Sequence, residues 1–176
     1  AEIGFLDALG RRLDACQTQE DLEPIFQDVV RAVSRVFEDR RTAGVVLDST
    51  GLDTLLQDMG RALLRFSGED VELPPRAQRC NPLRLYLVTE VYMSGGHSRM
   101  LEDFIAAVPS ARHVVIFSDL FARQGGAQEA IRQIESRGAP VVVVNEETFV
   151  LRSLRLVRYL KEYQPDICIL FNHHQD

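Results

Sequence analysis

Residues 83–99, LRLYLVTEVYMSGGHSR, decide the fold. Leu83, Leu85, Leu87 and Val88 with Tyr86 make a short apolar run rich in strand formers, and Met100, Leu101, Phe104 and Ile105 follow at helical spacing. The stretch therefore reads as strand, glycine loop, helix. Gly95 and Gly96 let the backbone approach a ligand without a Cβ in the way. The first N–H groups of the helix behind them have no intrahelical partner and favour a phosphate or another oxyanion. The spacing matches neither GxGxxG nor GxxxxGK[ST], and a tight turn between a strand and its crossover helix uses the same glycines.

Downstream the alternation repeats. HVVIF (113–117) is a second strand, 128–137 a second helix closed by Gly138, and 141–144 a third strand. Its four consecutive valines predict a strand covered on both faces. Residues 148–163, with Val150, Leu151, Leu154, Val157, Leu160 and Tyr163, form a third helix, and Pro165-Asp166 leads into ICILF (167–171) as a fourth strand. Strand and helix at this spacing predict right-handed crossovers. The expectation is an α/β fold: a Rossmann-like parallel sheet of about four strands in the order 3-2-1-4, helices on both faces, after an all-helical N-terminal extension.

Upstream the texture changes. Residues 1–80 hold fifteen Asp or Glu against ten Arg, and the rest of the chain eleven against ten basic residues, for a net charge of −6. The acidic half is the helical half. Ile3, Phe5, Leu6, Leu9 and Leu13 mark a helix ending near Cys16, and Thr18 is placed to cap the next one with Asp21 in its first turn. That helix carries Leu22, Ile25, Phe26, Val29, Val30, Val33, Val36 and Phe37, with Pro24 tolerable in its first turns. Residues 43–47 are strand or loop. Asp48 or Ser49 caps a third helix, in which Leu52, Leu55, Leu56, Met59, Leu63 and Leu64 face inward until Ser67-Gly68 stops it. The organisation expected is 1–67 helical, 68–82 a proline-rich linker and 83–176 the Rossmann-like part.

Composition excludes several classes. The scattered basic residues give no nucleic-acid or membrane-surface stripe, and no apolar run approaches a transmembrane span. Cys16, Cys80 and Cys168 form no CxxC pair, so a disulfide framework or zinc ribbon is not expected and a reducing cytoplasm fits. Cys168, in an apolar strand, is expected to be buried. The start at Ala1 rather than Met suggests a trimmed chain.

Parallel sheets bind ligands beyond the carboxyl ends of their strands, near the switch in strand order. That rim gathers Ser94–Arg99, Ser118-Asp119, Asn145-Glu146-Glu147 and Asn172–Asp176. The candidate substrate- and phosphate-binding residues are Gly95, Gly96, His97, Ser98, Arg99, His173 and His174. His97 can donate to an oxyanion or a sugar hydroxyl, Arg99 can pair with phosphate, and His173 or His174 can bond a hydroxyl or exchange a proton near neutral pH. No catalytic residue and no metal ligand is singled out. His113 belongs to the opposite rim and carries no assigned function.

These residues carry a resemblance. YLVTEVYMSGGHSRMLEDFI resembles the first strand, Gly-Gly loop and first helix of the N-terminal domain of GT-B glycosyltransferases, especially the retaining group called family 4. SLRLVRYLKEYQPDICILFNHHQD is similar to that group's helix, "kPD" turn and fourth strand ending in a His-rich loop. The likeness covers about residues 83–176 and not 1–80. It implies that Gly95, Gly96 and His97 approach the sugar acceptor or the donor's diphosphate, and that His173 and His174 line an interdomain cleft. It also implies an N-terminal fragment of a larger enzyme, inactive by itself, that uses a nucleotide sugar as substrate and needs no cofactor; the C-terminal domain with its E-x7-E type motif is not in this chain.

Two other classes stay open. A metal-dependent hydrolase would use His173, His174 and Asp176 with His97 or Asp119, although adjacent His residues in an extended segment point to opposite sides. A non-enzymatic module would bind a ligand or partner, and homo-oligomers would form through the helical extension or an exposed sheet edge.

Overall fold

The computed structural model describes residues 2–39, 49–69, 79–89, 96–118 and 127–171. Residues 43–47, Asp48, most of the linker, Ser94, Gly95, Asp119 and the terminal stretch 172–176 lie outside the described residues. The chain divides into two compact units, and the division does not fall at one point in the sequence: residues 147–154 belong with the N-terminal helices.

The helical unit contains α1 (Glu2–Ala15), a 3-10 turn (Glu20–Leu22), α2 (Glu23–Glu38) and α3 (Thr50–Ser67). Its core joins Leu9 and Leu13 of α1, Leu22, Ile25 and Val29 at and after the turn, and Leu55, Met59 and Leu63 of α3. Fully burying each such side chain is worth roughly 1.5–3 kcal/mol. Ser49 caps α3, its hydroxyl accepting from Leu52 N at 3.3 Å, and Gly68 ends the helix at φ +67°, a conformation glycine adopts without strain. Leu56, expected inside, is 42% exposed.

Thr18 does not cap the next helix. Asp21 does the accepting instead: one carboxylate oxygen takes Gln17 N at 3.0 Å, Thr18 N at 2.8 Å and the Thr18 hydroxyl at 2.9 Å. A side chain so loaded favours a turn over a helix, so α2 begins only at Glu23, after the 3-10 turn and with Pro24 in its opening position.

The second unit holds β1 (Leu83–Val88), α4 (Gly96–Ala107), β2 (Arg112–Phe117), α5 (Ala127–Ser136), β3 (Val141–Val143), the later turns of α6 (Phe149–Tyr163) and β4 (Ile167–Phe171). The four strands are parallel in the order β3-β2-β1-β4. Alternation along the strands separates two faces. Tyr86, Val88, Val115, Phe117 and Phe171 pack against Leu101 and Ile105 of α4 and Ala130 and Ile134 of α5. Leu85, Leu87 and Ile116 meet Leu156, Tyr159 and Tyr163 of α6 on the other. Helices thus cover both faces of the sheet.

The edges depart from expectation. β3 is an edge strand of three residues in which Val143 is 41% exposed and only Val144, just past it, is fully buried. Four valines in a row marked its β propensity, not cover on both sides. Cys168 is likewise exposed rather than buried: β4 is the other edge of the sheet, and Cys168 and Leu170 on it are both exposed.

Two contacts fix how β4 meets β1. Asp166 accepts Leu83 N at 2.6 Å through its carboxylate and returns its own N–H to Leu83 O at 2.8 Å. Arg79 donates to the carbonyls of Tyr163 at 2.7 Å and Gln164 at 3.1 Å, placing a cation where the dipole of α6 is negative.

Candidate functional site

The carboxyl ends of the strands form a continuous, hydrogen-bonded floor. Thr89 N donates to Phe171 O at 3.3 Å, Ser118 N to Val88 O at 2.9 Å and Val144 N to Phe117 O at 2.8 Å. The ladder therefore runs one residue past β1, β2 and β3. The hydroxyls of Thr89 and Ser118 fold back onto the carbonyls of Phe171 and Val88, and both residues are buried, at 8% and 3% exposure. Thr89 was not singled out in the sequence, since a Thr after an apolar run is common; its signal was only its position as the first polar residue past the strand.

Above that floor, chain direction reverses between β1 and β4. From β1 the chain runs outward through β2 to β3, and it returns to β4 on β1's other side. This is the switch point at which open parallel sheets leave a crevice. The helix that leaves β1 there is α4. It opens on Gly96, which is exposed, and its first turn holds His97, Ser98 and Arg99 and no acidic residue. Leu101, fully buried, and Ile105 anchor it on the sheet. Ser98 faces inward at 4% exposure, whereas Arg99 is exposed.

The structure thus gathers Gly96, His97, Ser98 and Arg99 on one helix turn. Gly95, His173 and His174 lie outside the described residues, as do Asp119 and Asp176, on which the metal-hydrolase reading leaned. Among the described residues no group of three or more His, Cys, Asp or Glu is placed to hold a metal ion.

The rim carboxylates in the described residues are Glu146 and Glu147, and Glu146 is paired. Its Oε1 accepts Arg155 Nε at 2.7 Å, a bond that pushes the guanidinium pKa up, and Arg155 also lies 5.9 Å from the Tyr159 ring centroid. Asn145 and Glu147 are exposed.

α6 starts differently from α4. Thr148 Oγ1 accepts Leu151 N at 3.2 Å, while Glu23 of α2 accepts Phe149 N through Oε1 at 3.2 Å and Val150 N through Oε2 at 2.9 Å. All three donors belong to the first turn.

Other titratable groups have structural roles. His113 is buried at the amino end of the sheet, as its position in the sequence implied. Its Nε2 lies 3.0 Å from Val108 O, which can only accept, so Nε2 carries the proton and Nδ1 accepts from the Tyr86 hydroxyl at 3.0 Å. Burial raises the Tyr86 pKa, partly offset by the Arg84 guanidinium. In the helical unit an open cleft of about 650 Å³ is lined by Arg12, Cys16, Thr18, Asp21 and Pro24 among others. Two of its charged residues are committed: Arg12 bonds Asp28 at 2.6 Å, and Asp21 holds the turn. Burial and the Asp21 charge raise the Cys16 thiol, and partial desolvation raises Cys168 although its residue is exposed, which keeps both in their weakly nucleophilic form.

No protein-family model matches the chain, and no curated protein or solved structure matches it. Among the described residues no helix is long and apolar enough to cross a membrane.

Proposed function

We propose that this chain is the acceptor-side portion of a GT-B glycosyltransferase, which moves a sugar from a nucleotide-sugar donor to a glycan, lipid or polysaccharide-precursor acceptor. One observation supports the reading above the others. The helix that opens on Gly96 leaves β1 at the switch point of a 3-2-1-4 parallel sheet, with a cation and no acid in its first turn. A cation there opposes the helix dipole, so Arg99 is better matched to a bound anion than to an empty helix end. In the transferase, backbone N–H groups and positive side chains of this kind stabilise the departing nucleoside diphosphate without an obligatory metal. In this reading Gly95 and Gly96 would allow the close approach, His97 and Arg99 would supply donors, and His173 and His174 would contribute further hydrogen bonds to the substrate.

The test has two arms. Titrating the chain with inorganic pyrophosphate should shift the amide resonances of Gly96, Ser98 and Arg99, and Arg99→Ala should weaken binding about tenfold, the effect of losing one charge-assisted hydrogen bond of about 1.5 kcal/mol. Shifts scattered over the surface, or none, reject the anion site. A longer chain from the same gene that transfers or hydrolyses no nucleotide sugar rejects the transferase.

A further inference from the structure

The start of α6 is closed by a residue from a distant part of the chain. A helix leaves its first N–H groups without intrahelical partners, and in α6 Phe149, Val150 and Leu151 all find one. Thr148 supplies the local cap. The helix has no acidic residue in its own first turn. The negative charge that its dipole favours comes instead from Glu23, 126 residues before Phe149. Both carboxylate oxygens are used, and Gln27 Nε2, one turn along α2, holds Oε1 at 3.2 Å. Leu22 and Ile25, on either side of Glu23, share a buried core with Val150 and Leu154. Beyond Leu154 the buried stripe of α6 changes partner, Leu156, Tyr159 and Tyr163 packing on the sheet.

We propose that Glu23 is a latch that makes α6 an element of two separately opening parts. With the carboxylate in place, 149–154 open and close with α1–α3. With it withdrawn, α6 unwinds from its first turn while its later turns stay on the sheet. The inference rests on the capping geometry and the two cores, and it stands whether or not the chain serves a transferase.

Residue-resolved amide hydrogen exchange on the full chain tests it, comparing the parent with Glu23→Gln and Glu23→Ala. In Glu23→Ala the amides of Phe149 and Val150 should exchange at least tenfold faster, with a smaller increase in Glu23→Gln, which keeps one acceptor oxygen. The amides of Tyr159 and Tyr163 should keep their parent rates. Leu52, held by Ser49, and Leu83, held by Asp166, report whether each unit is still folded. Parent-like rates at Phe149 and Val150 overturn the latch, and so does a uniform rise along the whole of α6. If Leu52 or Leu83 shows that Glu23→Ala has unfolded, the same two criteria applied to Glu23→Gln decide.

Discussion

α4 and α6 both follow a strand of the same parallel sheet, and neither carries an acidic residue in its own first turn. In the described residues their first turns nevertheless differ. α4, described from Gly96 onward, places Arg99 in its first turn, against the positive end of its dipole. α6 opens behind Thr148 and receives the Glu23 carboxylate on two of its first amides. A helix N-terminus after a strand is therefore not an anion site by position alone. What matters is whether the chain supplies an anion of its own, and in α6 it does. The phosphate-binding proposal is therefore placed on α4, whose first turn carries a cation, and not on α6.

The largest expected effects come from removing the side chains that seat the two helices. Leu101 of α4 and Leu154 of α6 are 0% and 5% exposed but belong to different cores. Truncating either to alanine should cost about 2–5 kcal/mol in urea unfolding. Leu101→Ala should speed amide exchange in β1 and β2, and Leu154→Ala in α1–α3. If either variant loosens both units equally, the separation of the cores fails and the comparison with it.

A smaller effect is expected at the end of the sheet remote from both helix starts. Tyr86→Phe keeps the ring stacked on His113 but removes the hydroxyl that donates to Nδ1, leaving a buried acceptor without its donor. The loss should be about 1–3 kcal/mol. Pyrophosphate binding at α4 should not change. A variant that weakened that binding would show that the two rims are coupled and that α4 is not an independent site.

Much of the architecture was legible because it depends on local pattern. β1 at 83–88, β4 at 167–171 and the end of α4 at Ala107 fall where apolar alternation and helical spacing put them, and Gly138 at φ +87° ends α5 as a glycine after a helix should. The strand order 3-2-1-4 is the one expected of a doubly wound sheet, although the handedness of the crossovers alone does not fix it. What the pattern missed depends on contacts between distant residues. Valine content marks a strand but not whether it lies at an edge, hence β3; an apolar neighbourhood does not show this for β4 either, hence Cys168. The continuous apolar stripe Val150, Leu154, Val157 looks like one face, and only tertiary packing shows that its first half is buried with α1–α3. Glu23 was one acid among fifteen in residues 1–80, with no local feature to distinguish it. Of the candidate site, the order of β1, glycine and α4 was readable, but the inward turn of Ser98 was not.

The smallest effect extends the comparison to acid pH, since the turn before α2 uses on a small scale the device that closes α6: a carboxylate that collects backbone amides. Asp21 is held below the usual carboxylate range by the N–H groups of Gln17 and Thr18 and then by the Thr18 hydroxyl, and Asp28 by its bond to Arg12. A carboxylate whose pKa is lower folded than unfolded stabilises the fold above its unfolded pKa, about 3.9, and that stability is lost as pH falls through the depressed folded value. The helical unit should therefore hold constant stability from neutral pH to about pH 5 and weaken progressively below about pH 4. Asp21→Asn removes one of the two titrations, so it should lower stability at neutral pH and make the acid slope shallower, the remainder coming from Asp28. Asp21 is exposed, so the change is small and is best read as a difference in slope between parent and variant in urea titrations at pH 7, 4 and 2.5. An unchanged slope would mean that the Gln17–Asp21 turn persists in the unfolded chain, and that a carboxylate collecting neighbouring amides stabilises the fold only when, as with Glu23, the amides come from far along the sequence.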